Sequence, residues 1–192
     1  TSGTTDAPGT SGSGNDLPVP GCDPLFFADF SQDPVGALQY AGGGQWSWNP
    51  DAGELTVATQ TGSSFAWISG ANWTDFTAYT RLRFGSGYGL LRGRGQPNGP
   101  GYYYTSIATQ TQEIRSGISL NGQANPIDAA PTMVEPGVWY TLRLSLLGTK
   151  FFAEVDGIST SFDDPTFAAG SVAIGGYGSG TVTFDWLLVC AP

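Results

Sequence analysis

GVWYTLRLSLLGTKFFAEVDG, from Gly137 to Gly157, decides the reading of this chain. Tyr140, Leu142, Leu144 and Leu146 alternate with Trp139, Thr141, Arg143 and Ser145, the two-residue period of a strand with one face in a core. A tight Leu-Gly-Thr turn leads into a second strand that closes at Asp156-Gly157. GSVAIGGYGSGTVTFDWLLVC, from Gly170 to Cys190, has the same character and turns at Gly178-Ser179-Gly180. Alternation around Gly-centred turns is a hairpin signal, so both stretches are expected to be hairpins of an antiparallel β-sandwich.

The same pattern extends upstream. CDPLFFADF reads as the first strand, and QWSWNPDAGELTVAT as two short strands around Asp51-Ala52-Gly53. SSFAWISG, TDFTAYTRLRF, YGLLRGRG, PNGPGYYYTSIATQ and EIRSGISLNG continue it. In TDFTAYTRLRF, Phe76, Ala78, Thr80, Leu82 and Phe84 are expected to face the core, and Thr77, Tyr79, Arg81 and Arg83 to face outward. No stretch shows a 3.6-residue period; residues 162–169 make at most one helical turn. About eleven to thirteen short strands imply an all-β, two-sheet antiparallel sandwich over residues 22–192. Residues 1–21, TSGTTDAPGTSGSGNDLPVPG, read as a disordered Ser/Thr/Gly/Pro linker.

Composition narrows the function. One Lys and six Arg face sixteen acids in 192 residues, a net charge of -9, which removes the cationic surface that nucleic acids and anionic membranes require. No apolar run is long enough for a transmembrane helix. No basic segment followed by an apolar one opens the chain, so any signal peptide is expected to have been removed. Histidine is absent, which excludes His-based triads and His-ligated zinc. Cys22 and Cys190 flank the folded part. A disulfide between the first and last strands is expected, with two unrelated buried thiols as the alternative.

The "WYTLRLS…G…VDG" stretch and the terminal "FDWLLV" strand resemble the concanavalin A-like lectin/glucanase superfamily. The resemblance spans roughly residues 23–190 and implies a jelly roll. It makes a glycan or polysaccharide the leading ligand. The superfamily also hosts laminin G-like adhesion domains, so a protein partner is the alternative, and a divergent glycoside hydrolase a third reading. Family 16 glycoside hydrolases carry an E-x-D-x-x-E run on one strand; this chain has none, and Glu154-Val155-Asp156-Gly157 is the nearest string. The expectation is therefore a monomeric, non-catalytic, carbohydrate-binding-like domain of an exported bacterial surface protein or lipoprotein.

Two constellations carry that expectation. Tyr79, Arg81, Arg83, Arg92, Arg94, Tyr103 and Arg143 offer rings for sugar faces and guanidinium forks for hydroxyls or carboxylates. Their placement resembles the concave sheet that binds glycans in the superfamily. The other is calcium. In family 16 enzymes the aspartate of the last strand binds a structural Ca²⁺ together with early backbone carbonyls. Asp185 matches that aspartate, the Gly53 turn resembles the carbonyl-supplying turn, and Asp29 is a nearby acid.

Overall fold

The computed structural model describes residues 17–192. The linker expected at 1–21 falls almost wholly outside them. The strands in chain order are β1 (Pro24–Ala28), β2 (Leu38–Gly42), β3 (Gln45–Asn49), β4 (Glu54–Thr59), β5 (Ser63–Ile68), β6 (Phe76–Phe84), β7 (Tyr88–Gly95) and β8 (Gly101–Ala108). They continue as β9 (Glu113–Leu120), β10 (Gln123–Pro131), β11 (Tyr140–Leu147), β12 (Lys150–Val155), β13 (Ile158–Asp163), β14 (Ser171–Tyr177) and β15 (Gly180–Cys190). Among the described residues there is no helix, and so none long and apolar enough to cross a membrane. The helical turn expected at 162–169 is instead the end of β13 and a loop.

Every strand pairing is antiparallel. Sheet A runs β13-β12-β11-β6-β15-β4-β3, with β1 added alongside β15; sheet B runs β10-β9-β8-β7-β14-β5-β2. Two such sheets packed face to face make a jelly-roll sandwich. Phe76, Leu82, Phe84, Leu142, Leu144, Phe151 and Phe184 of sheet A pack against Leu91, Tyr103, Ile107, Ile114 and Ile174 of sheet B. Each fully buried side chain of this kind contributes about 1.5–3 kcal/mol. The expected alternation holds throughout β6; in β11 it is broken only at Ser145, which is buried and hydrogen-bonded to Thr77. Gly93 lets the sheets approach closely, because a Cβ there would lie 2.6 Å from Leu146 and 3.0 Å from Phe76.

One expectation fails. Gly170 to Cys190 is not a hairpin: β14 lies between β7 and β5 in sheet B, and β15 between β6 and β4 in sheet A. The Gly178-Ser179-Gly180 turn carries the chain across the sandwich. Val172 and Ile174 face Val182, Phe184 and Leu187 through the core. An apolar alternation on either side of a glycine turn reads the same whether the strands pair edge to edge or face each other across two sheets. β10 was not anticipated, because Pro126 and Pro131 argue against a strand; it is the edge of sheet B, where proline is tolerated.

β1 pairs antiparallel with β15, placing Pro24 opposite Cys190. Cys22 and Cys190 form a disulfide with their Cα atoms 5.4 Å apart, and no free cysteine remains. The bond closes a loop of sequence separation 168. In the chain-entropy account such a loop is worth at most about 5 kcal/mol. Cys22→Ser/Cys190→Ser is therefore expected to lower the melting temperature in calorimetry by roughly 10 °C. An unchanged melting temperature would show that β1 is held by its ladder alone.

Candidate ligand-binding face

The sequence-predicted ligand residues do not converge. β6 and β7 follow one another in the chain but belong to opposite sheets, so Arg81 and Arg83 lie far round the sandwich from Arg92 and Arg94. Tyr79, Arg81, Arg83 and Arg143 share the outer face of sheet A. Arg81 Nη1 donates to Asp185 Oδ2 at 2.8 Å, and Arg83 Nη2 to Glu54 Oε1 at 2.8 Å; Arg143 pairs with Glu154 at 3.6 Å. Arg81 and Arg83 hold their guanidinium carbons 5.0 and 4.7 Å from the Trp139 ring. The three arginine side chains are 43%, 40% and 40% exposed. This is a charge-balanced, solvated ladder whose individual pairs are worth about 0–1 kcal/mol. Tyr79 also lines a cleft of about 220 Å³ beside the Cys22–Cys190 bridge.

Arg94 and Tyr103 are not open to a ligand. Arg94 lies at a register shift where β7 meets β14, in the left-handed region at φ 51°, and is 3% exposed. The shift turns its side chain toward the end of the sandwich. Its Nε donates to the Thr74 carbonyl at 2.6 Å and its Nη1 to the Gly148 and Phe167 carbonyls at 2.7 and 3.1 Å. Its Nη2 donates to Asp75 Oδ1 at 3.1 Å. Tyr103 is 1% exposed in the core. Its hydroxyl proton is shared by the carbonyl and carboxylate of Asp164, both at 2.8 Å, and its oxygen accepts from Phe167 N at 3.1 Å. The tyrosine triplet alternates, so Tyr102 and Tyr104 point outward and Tyr103 inward. Choosing the middle ring put that expectation on the wrong face, and the inward period of Tyr103, Thr105 and Ile107 was the signal that could have corrected it. Burial, with the bond to Asp164 adding and the Phe167 amide opposing, pushes the Tyr103 phenol up to about 12.

At the expected calcium position, a Cβ on Gly53 would lie 3.2 Å from the Asp29 carbonyl, so that turn and the end of the first strand do meet. Asp185 is the extra residue of a bulge between Phe184 and Trp186. Its carboxylate is occupied by Arg81, and the Asp29 carboxylate accepts from Ser31 N and Oγ. Among the described residues no three His, Cys, Asp or Glu side chains gather. A Ca²⁺ ion at this turn would have to displace the Arg81 guanidinium from Asp185.

Arg92 defines a different surface, the outer face of sheet B. Cross-strand register aligns Gln39, Trp67, Ala173, Arg92, Tyr104 and Gly117 in one row. Phe65, Trp67 and Leu90 form a small apolar cluster there with Tyr102 packed against it. The Phe65 and Tyr102 ring centroids are 6.3 Å apart, and the Arg92 guanidinium carbon lies 2.9 Å from one and 3.6 Å from the other. The guanidinium carbon thus sits between the two rings, which are tilted 45° to each other. Arg92 is 5% exposed, and burial draws it well below the usual arginine range against the opposing influence of Tyr102 and Tyr104. Among the described residues nothing accepts from Arg92 Nε, and buried Ser119 Oγ, beside Tyr102 in the next strand, is equally unpaired. Phe65, Trp67 and Ser119 were not singled out from the sequence, whereas Tyr102 and Tyr104 belong to the tyrosine triplet that was. The common face of these residues follows only once β5, β14, β7, β8 and β9 are known to be neighbours.

No described protein family matches the sequence, and no curated protein does. Solved structures do. A carbohydrate-binding module of Bacillus subtilis, CBM66, superposes with a TM-score of 0.72 at 20% identity, covering 81% of this chain and 96% of that one. A protein of unknown function with a galectin-like fold, also from Bacillus subtilis, gives 0.69 at 12% identity over 87% and 95%. The Bacillus licheniformis β-glucanase gives 0.65 at 11% identity over 87% and 98%. The chain has the concanavalin A-like jelly-roll fold.

Two outcomes follow from this geometry. Stability that Tyr103 contributes as a neutral phenol is complete below pH 10 and lost as pH rises toward about 12. Unfolding free energies of Tyr103→Phe from urea titration should accordingly fall less over that window than those of the parent, by about 2–3 kcal/mol; parallel curves would contradict the assignment. Treatment with EDTA should leave the melting temperature unchanged. A fall that added Ca²⁺ restores would show that a cation displaces Arg81 from Asp185.

Proposed function

We propose that this chain is a non-catalytic, carbohydrate-binding domain that holds a glycan on the outer face of sheet B. The observation that carries the reading is Arg92, buried between the Phe65 and Tyr102 rings with its Nε unpaired among the described residues, beneath a face on which Tyr102 is the half-exposed ring while Trp67 and Tyr104 are buried. Aromatic rings stack on the apolar faces of sugars, and a few convergent polar groups fix orientation. The likeness to a carbohydrate-binding module supports this choice of ligand.

The acids support the non-catalytic part. Glycoside hydrolysis uses two carboxylates flanking the bond, one of them free to act as acid. Glu113, on the outer face of sheet B, is paired with Arg115; Glu154 is on sheet A and paired with Arg143. The Cys22–Cys190 disulfide supports an extracytoplasmic setting.

Affinity electrophoresis against a panel of neutral and acidic polysaccharides tests the proposal. The parent should be retarded by at least one of them. Tyr102→Ala should lose about tenfold in affinity with a melting temperature within a few degrees of the parent, while Arg143→Ala on sheet A should bind as the parent does. Free migration through every polysaccharide would overturn the reading.

A further inference from the structure

The chain has seven Lys and Arg residues, all among those described. Six of them pair with carboxylates: Arg81 with Asp185, Arg83 with Glu54, Arg94 with Asp75, Arg115 with Glu113, Arg143 with Glu154 and Lys150 with Asp163. Arg92 is the seventh, and among the described residues no carboxylate pairs with it. In a chain of sixteen acids, a cation left without one is not explained by scarcity. The exception is also one of the two most buried arginines. Cation–π contact with Phe65 and Tyr102 offsets part of the cost of burying this charge, but no carboxylate among the described residues neutralises it.

The surroundings specify what would complete the pair. Phe65 and Tyr102 flank the guanidinium on opposite sides, which closes those two directions to a ligand. What remains is the edge, which presents N–H donors in a planar fork. That edge matches the two oxygens of a carboxylate, which it can engage with two parallel bonds. Tyr102 is the half-buried ring and Phe65 the buried one, so the ligand approaches from the Tyr102 side. Ser119 Oγ, in the strand beyond Tyr102, is a second buried polar atom beneath this face with no partner among the described residues.

We infer that the glycan held on sheet B is acidic, and that Arg92 receives a sugar carboxylate edge-on between the rings of Phe65 and Tyr102. This rests on the glycan-binding reading and names the chemical class of its ligand. The net charge of -9 opposes long polyanions at a distance, so the recognised unit is a short acidic segment or chain end.

Isothermal titration with galacturonate, glucuronate and mannuronate trisaccharides, each against its carboxyl-reduced counterpart, tests this on the intact chain. Reduction replaces the carboxylate by a hydroxymethyl group and leaves linkage and ring unchanged. At least one uronate should bind ten times or more tightly than its reduced form. Arg92→Met should abolish that preference while its melting temperature stays level or rises, because removing an unpaired buried charge relieves the fold. Retained uronate preference in Arg92→Met would overturn the inference. So would a melting temperature that falls as it does for an arginine paired within the fold. Equal binding of uronate and reduced sugar would also overturn it while leaving the glycan reading standing; no binding to any sugar, in this assay or in electrophoresis, would remove both. The carboxylates outside the described residues are the remaining rival. If Asp6→Asn or Asp16→Asn changes stability as Arg92→Met does and uronates fail to bind, the chain supplies its own anion and the inference falls.

Discussion

Arg94 is where the two sheets are tied at one end. From β7 of sheet B its guanidinium reaches Thr74 and Asp75 ahead of β6, Gly148 in the β11–β12 turn and Phe167 in the loop entering β14. Three of these partners are backbone carbonyls, and the buried guanidinium would cost roughly 1–3 kcal/mol or more if its donors were left unmade. A single side chain thus joins three chain segments at this end of the sandwich. Asp75 in turn accepts from Gly148 N at 2.7 Å, so the turn is held from both sides.

The left-handed turn of backbone at Arg94 has a second effect. By shifting register against β14 it fixes how the last residues of β7 are phased, and Arg92, two residues earlier, is left on the outer face of sheet B. Two arginines on one strand therefore have opposite situations. Arg94 has every nitrogen engaged; Arg92 lies between two rings and has no carboxylate partner among the described residues. The fold accounts for the first, and the proposed glycan would account for the second.

Much of the fold was legible, and the reason is periodicity. β6 and β11 neighbour one another in sheet A, and their apolar and polar positions alternate without interruption, so their faces could be read directly. The Cys22–Cys190 bridge followed from two cysteines at the ends of one domain. What periodicity does not encode is which sheet a strand joins. β14 and β15 looked like a hairpin and face each other across the core, while β6 and β7 looked like neighbours and lie in opposite sheets. The candidate site suffered most from this, because its residues come from strands far apart in sequence, such as Phe65 on β5 and Ser119 on β9. Within a strand the phase was recoverable: Tyr103 belongs with Ile107 in the core, and Tyr102 with the outward set.

The claim that Arg92 is the contact point for an acidic glycan is tested most directly by the arginine side-chain Nε–H resonances in NMR, followed as a uronate trisaccharide is added. The account requires the Arg92 Nε–H signal to shift and its proton exchange to slow, with the signals of Arg81, Arg83 and Arg143 on sheet A unmoved. A shift confined to the sheet A arginines, with Arg92 unchanged at saturation, would contradict it.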